Sequence, residues 1–536
     1  MRPPENKPPR LFAREAAFIA GSGANRRLFL FGWAAFGVYG FLVLLLTGVV
    51  GESIPRFTAV PLFLFSFWGT LRLAMLWQAG LDRFDPTGGE SPGRVFGPAF
   101  FFSVAVLGCA WICTREIHSP DTITQWVQAK RFEFREWHPA FHTLLIALTA
   151  KVVKSYNMVV LVQSLILAAS IAAAAKTLAE IGIRKSLVAA AVVFMTLQPG
   201  TLFLSQILWK DTAYAIAVLW ICNFGIRILH TEGAWLNSFA NACRISAALT
   251  CALIFRHNGL FFVFPFLVLL LFFRPGQYRR IILVAGMTLL LFFLIKIPLY
   301  RALEVDTGTQ NAVPQYYVES AGIPFSMMGD AYYFSREKLP PEVTGFLERI
   351  APREVWQERY EPGNFNSIKF CFPPDRVLKD VPPREFLKLW LKTVRSAPKT
   401  SLEGFARATA TVWVPYNDGR PEYLTGKTNS WPLSFDIRAL ELFLYRSPAG
   451  ILFARIGFWI IVFGAAALAA CRRNGFRTLF LLLPLCCYNL CTMLLLYGNS
   501  DWRFFYSTPL TAIPLLLAVA ADCRNRSGAG DPPARQ

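Results

Sequence analysis

Thirteen apolar runs constrain this chain more than any other feature. They lie at about 28–50, 57–79, 95–113, 139–153, 156–176, 187–205, 211–229, 240–255, 259–273, 280–299, 449–470, 476–496 and 504–521. A bilayer core about 30 Å thick is crossed by roughly 20 apolar residues in a helix. Inside lipid the backbone must satisfy its own polar groups, so only helices or closed barrels cross. Runs of this length exclude the alternating pattern of a barrel and predict an all-α polytopic membrane protein. Composition agrees. Of 536 residues, 54% are hydrophobic and 16% charged, against about 25% charged in a soluble domain. Intrinsic disorder, collagen-like repeats and a small disulfide scaffold are thereby excluded.

The net charge of +20 has to be located before it is interpreted. Segment 301–448 carries 19 Lys+Arg and 18 Asp+Glu, leaving 35 basic and 16 acidic residues elsewhere. The surplus sits between apolar runs, where positive charge holds loops on the cytoplasmic side. It is a topology signal, and no soluble basic face exists to present to nucleic acid. The first 27 residues, Arg-rich and broken by Pro, do not read as a cleavable signal peptide. Insertion is expected through an uncleaved first helix. Cys371 is the only cysteine of 301–448, so no disulfide closes within that segment.

Charge also sets the span count. Thirteen full crossings would place the Arg274–Arg280 loop and the loop of Arg472, Arg473 and Arg477 outside, against the positive-inside rule. Treating the 15-residue run 139–153 as partial leaves about twelve spans and puts both termini in the cytoplasm. The expected layout has a basic N-terminus at 1–27, two extra helices at 28–94 and a transmembrane module at 95–300. A mixed, mainly helical extracytoplasmic domain follows at 301–448, between the tenth and eleventh runs. C-terminal spans at 449–521 and a disordered tail at 522–536 complete the chain. Within 301–448 the pattern predicts an amphipathic helix over 383–396, with Phe386, Leu387, Leu389, Trp390, Leu391 and Val394 on its apolar side.

Four polar clusters interrupt the apolar sequence, and this topology puts all four on the outer side. The first is the loop His118-Ser119-Pro120-Asp121-Thr122 through Trp137-His138-Pro139 to His142; the second is Lys210-Asp211. Arg256-His257-Asn258-Gly259 forms the third, and Asp501-Trp502-Arg503 with Tyr506 the fourth. Ionisable groups at membrane depth cost a few kcal/mol unless paired or facing water, so they mark function by default. Each also has a plain reading. Ser119 or Asp121 can cap a surface-lying helix that carries Ile123, Trp126 and Val127 on one side. Lys210 and Asp211 can anchor and cap, and Arg256 and Arg503 can snorkel. His138 and His142 have zinc-compatible i,i+4 spacing, but the HExxH pattern is absent.

An acidic residue in the first large outer loop, followed by a Pro-started apolar helix, resembles the GT-C superfamily of membrane glycosyltransferases. Its members include protein O-mannosyltransferases and the aminoarabinose transferases acting on lipid A. The stretch from Ile183 through Pro199 to Asp211 is similar to their second acidic motif. The strings PDTITQW, WHPAFH, LWKD, RHNG and DWRFFYSTP resemble an uncharacterised bacterial family of that superfamily, over about 95–521. The resemblance implies a sugar taken from a polyprenyl-phosphate carrier and placed on an envelope lipid, glycan or protein. It implies a location in the bacterial inner membrane, with the site facing outward. Asp121 is the implied general base, and Asp211 orients the acceptor or helps hold a divalent cation. Arg256, His257 and Arg503 bind phosphate, while His138 and His142 line the pocket. Lys210, Asn258, Asp501 and Tyr506 complete the substrate-binding set. The first loop has a single Asp121 where the superfamily has an adjacent acidic pair. Rival readings are a lipid-linked saccharide polymerase or ligase, a transporter or flippase, and a non-catalytic assembly partner.

Overall fold

The computed structural model describes residues 13–50, 59–83, 86, 88, 94–113, 117–273, 275–307, 315–415, 450–495 and 502–528. Among them every regular element is helical and no strand forms. In chain order the main helices begin with α1 (Ala13–Ala20), α2 (Arg26–Val50), α3 (Ala59–Arg83), α4 (Phe96–Cys113) and α5 (Pro120–Arg131). Then come α6 (Ala140–Val153), α7 (Tyr156–Glu180), α8 (Lys185–Leu197), α9 (Pro199–Leu204), α10 (Lys210–His230), α11 (Phe239–Phe255) and α12 (Leu260–Phe273). Next are α13 (Tyr278–Leu294), α14 (Gly322–Ser335), α15 (Pro341–Ile350), α16 (Pro383–Ser396) and α17 (Pro398–Ala408). The chain ends with α18 (Ile456–Asn474), α19 (Leu479–Leu495) and α20 (Ser507–Gly528).

Seven helices among the described residues are long and apolar enough to cross a membrane: Arg26–Thr47, Phe96–Cys113, Tyr156–Glu180, Lys210–His230, Tyr278–Ala302, Ile456–Asn474 and Trp502–Cys523. Five apolar runs form shorter helices of 10–17 residues, Ala140–Val153 among them. At 1.5 Å per residue, the 14 residues of α6 reach about 21 Å, short of the roughly 30 Å hydrocarbon core. Run 187–205 is not one helix. Pro199 disfavours the helical conformation at Gln198, whose ψ of 137° separates α8 from α9. The final helix runs on through 522–528, where the sequence predicts a disordered tail.

Burial ranks the helices. Of the most apolar stretch, 89% of Trp502–Cys523 and 78% of Lys210–His230 are buried in the protein, against 17% of Phe96–Cys113 and of Tyr278–Ala302. The last helix and α10 are therefore the centre of the bundle, and α4 and α13 its rim. α2 and α3 pack closely through small residues: Gly37 lies against Phe67, and Gly40 against Thr70 and Ser66. α1 folds back on them, with Glu15 paired to Arg72 at 2.7 Å and Phe18 under the Arg472 guanidinium.

Charges segregate to the two ends of the bundle. At the end where α10 finishes, Arg477 pairs with Glu232 and Asp522, Arg473 with Asp82, and Arg280 donates to the Asn237 carbonyl. The described residues of the four polar clusters lie at the opposite end, where α10 begins.

Residues 318–397 supply a separate core of Phe325, Phe346, Trp356, Tyr360, Phe365 and Phe386, while Ala406, Val412 and Trp413 join the core of the bundle. The rings of Phe325 and Phe365 stack at 4.3 Å. Asp330 is fully buried and satisfied by Arg407 at 2.6 Å, the Tyr360 hydroxyl at 2.8 Å and the Gly363 N–H at 2.7 Å. α16 has the boundaries the sequence predicts, started by two prolines. Its buried side is narrower than expected: Phe386, Leu389 and Thr393 face the core, while Leu387 and Leu391 are 48% and 39% exposed.

Candidate functional site

The site forms where four distant segments meet at the start of α10. Its first wall is the N-terminus of α5. Ser119 has extended φ and ψ, its hydroxyl accepts the Thr122 N–H, and its own N–H donates to the Thr122 hydroxyl oxygen, a reciprocal capping box. The cap is Ser119, and Asp121 follows in the first turn with its carboxylate free to reach outward. One oxygen accepts from Arg503 Nη1 at 3.1 Å, and the other lies 4.0 Å from His138 Nε2. Burial is the largest single influence and pushes the Asp121 carboxyl up, but Arg503, His138 and Lys210 together, with the Arg503 hydrogen bond, hold the group below its ordinary value.

His138 and Lys210 form the next layer. Pro139 caps α6, so His138 precedes the helix and does not share a helical face with His142. Lys210 Nζ lies 3.3 Å from His138 Nδ1. An ammonium only donates, so Nδ1 accepts and the imidazole proton sits on Nε2, toward Asp121. Burial, reinforced by the Lys210 charge, pushes His138 down to about 3, so its ring is neutral at physiological pH. Lys210 itself makes no ion pair with any described residue. It opens α10, whose N-cap Trp209 supplies no capping side chain, so a cation and the positive end of a 21-residue helix point to one place.

Arg256 and Asp211 meet behind this layer in a buried ion pair, with side chains 1% and 2% exposed. The guanidinium also stacks over Phe504 at 4.5 Å. Two expectations change here. Arg256 is sealed against Asp211 instead of being presented to a phosphate, and Asp211 is committed to a guanidinium instead of an acceptor. The donor set also does not fit a divalent ion: Asp121 and Asp211 hold different arginines, and among the described residues no three His, Cys, Asp or Glu side chains converge.

The remaining expected residues separate into struts and a second cluster. His142 Nδ1 accepts from Gln125 at 3.1 Å, joining α6 to α5. Asn258 donates to Thr492 at 3.4 Å, and the buried Tyr506 hydroxyl bonds Thr201 at 2.8 Å. Both lie in the packing and not on the site's surface. His257 is exposed and lies 4.0 Å from Glu136, which pairs with Lys296. Lys296 sits in the π-helical turn Ile295–Leu299 that follows α13. It is the only charged residue of run 280–299 after Arg280; an isolated charge in an apolar run was the available signal for it. Asp501 lies outside the described residues.

The last segment is seated by a close approach. Gly200 faces the Trp502 ring, and a Cβ there would overlap it. Gly200→Val is expected to displace Trp502 and with it Arg503, lowering stability by about 1–3 kcal/mol through overpacking. Thermal melting of the purified variant checks this, and an unchanged melting temperature would refute it.

Residues 134–409 match a family described as a family of unknown function (DUF6020). No curated protein matches the chain, and no solved structure does. The match spans more than half of the 536 residues and takes in His138, Lys210, Arg256 and the 318–397 core, so the chain belongs to the DUF6020 family.

Proposed function

We propose that this protein is a membrane glycosyltransferase that moves a sugar from a polyprenyl-phosphate carrier to an envelope acceptor on the extracytoplasmic face. One observation carries the reading: Asp121, Lys210 and Arg503, from three segments, converge at one end of the central helices as a single carboxylate beside two cations. Sugar transfer from a phosphate carrier asks for that combination. Arg503 offers paired N–H donors that match phosphate oxygens, and Lys210 adds a point charge. Both stabilise the negative charge that grows on the departing phosphate. Asp121 takes the proton of the acceptor hydroxyl or amine. The acceptor atom bonds the anomeric carbon as the carbon–oxygen bond to phosphate breaks on the opposite side, so configuration inverts. Neutral His138 stands between the base and Lys210, where it can donate to the acceptor or sugar through Nε2.

Twelve spans with cytoplasmic termini and an extracytoplasmic 301–448 domain belong to this proposal. The segregation of Arg473, Arg477 and Arg280 to the end away from Asp121 supports it. Reporter fusions after residue 350 are expected to report the outer side, and a cytoplasmic signal would overturn the orientation. The activity is tested by mass spectrometry of envelope glycans and lipids with and without the protein, together with transfer from supplied polyprenyl-phosphate sugars to membranes. A sugar lost in vivo and restored in vitro is expected. Unchanged envelopes and no transfer from any such donor would sink the proposal.

A further inference from the structure

Trp209 belongs to none of the groups assigned a chemical role, yet it touches each part of the site. It is 2% exposed and among the largest fully buried side chains. Its indole Nε1–H donates to Ser119 Oγ at 2.7 Å. That oxygen also receives the Thr122 N–H, so it is the cap from which Asp121 is displayed. The opposite partner is Arg503, whose guanidinium lies 4.4 Å from the centre of the indole. Arg503 is thereby held between an aromatic face and the Asp121 carboxylate. The Trp209 carbonyl accepts the Thr212 N–H at 3.1 Å and so starts the first turn of α10, with Lys210 as the next residue.

We infer that Trp209 is the positioning residue of this site, its indole N–H fixing the segment of Asp121 and its ring seating Arg503. The two contacts act separately. Loss of the N–H alone lets the cap and Asp121 shift while Arg503 keeps its platform. Loss of the ring removes the nearer of the two aromatic faces on the guanidinium, Trp209 at 4.4 Å, and leaves Phe504 at 5.1 Å. The activity part of this inference rests on the glycosyltransferase reading, whereas the electrostatic part does not.

The test uses the full-length protein in nanodiscs, with polyprenyl phosphate as the binding probe. Carbodiimide modification of Asp121 is followed against pH by peptide mass spectrometry. In wild type the midpoint is expected below the ordinary carboxyl value of about 3.9. Trp209→Leu is expected to raise the midpoint by about one pH unit as Arg503 leaves, and to weaken polyprenyl phosphate binding about tenfold. Trp209→Phe is expected to keep both near wild type but to lower kcat about tenfold with KM for the lipid donor unchanged. An unmoved midpoint and unmoved binding in a folded Trp209→Leu protein would overturn the inference. A wild type that does not bind polyprenyl phosphate, with the midpoint shift in Trp209→Leu intact, would remove the glycosyltransferase reading and leave the positioning role standing. Where Trp209→Leu does not fold, Trp209→Phe and Ser119→Ala carry the test. Their double variant is expected to lose no more activity than the worse single, and additive losses would overturn the shared hydrogen bond.

Discussion

Replacing Arg256 with methionine, with Asp211 left in place, is expected to cost about 3–5 kcal/mol of folding stability. The side chains are 1% and 2% exposed, so the surviving carboxylate would have no water to turn to. Asp211→Asn keeps an acceptor oxygen for the guanidinium but removes its counter-charge, and is expected to destabilise as well, by less than Arg256→Met. The double variant Asp211→Asn/Arg256→Met removes both charges, and most of the loss should return, because a buried pair gains little over a neutral pair of similar volume. Thermal melting of the three purified variants forms a double-mutant cycle. Strong coupling between the sites is the expected result. Single variants as stable as wild type, or losses that simply add, would show that the pair does not carry the fold here. A stable double variant that still binds polyprenyl phosphate would also show that the phosphate is held elsewhere, as the sealed geometry of Arg256 implies.

How much of this was legible beforehand follows from what kind of information each feature needs. Asp121, Lys210, Arg256 and Arg503 stand out because charge inside apolar sequence is costly and therefore rare. The α5 cap is local: Ser119, Pro120 and Thr122 spell the start of a helix in four consecutive residues. The prolines before α16 and its apolar spacing are local too, which is why its ends agree. Pairing is not local. Asp121 and Arg503 are 382 residues apart, and nothing along the chain says that Arg256 faces Asp211 while Arg503 faces Asp121. Trp209 was invisible for the same reason, as a tryptophan near a helix end ordinarily reads as an interfacial anchor. The span count depends on something else. Apolarity marks burial but does not distinguish lipid from protein, and apolar runs such as those of α8 and α11 form helices of fewer than 18 residues.

Asp121→Asn carries the largest expected effect on activity, a fall of at least about a hundredfold to ten-thousandfold in kcat, the range of general-base catalysis. The substitution keeps the shape and an acceptor oxygen for Arg503, so folding and polyprenyl phosphate binding should survive, which separates chemistry from assembly. The pH profile follows from the same contact. Arg503, with His138 and Lys210, offsets burial and holds the folded Asp121 carboxyl below its ordinary value, so the base stays ionised as pH falls through the usual carboxylate range. Activity is expected to persist to lower pH than a free aspartate would permit and to be lost only as pH falls through the depressed value. Arg503→Ala removes the cation but not the burial that pushes the carboxyl up. Its acid limb should therefore move upward, along with weaker donor binding. The sign is fixed by the charge of Arg503: a limb that moves downward in Arg503→Ala, or one that does not change, would mean that Asp121 is not the group titrating. Full transfer by Asp121→Asn would remove the base altogether and leave the carboxylate as no more than the counter-charge of Arg503.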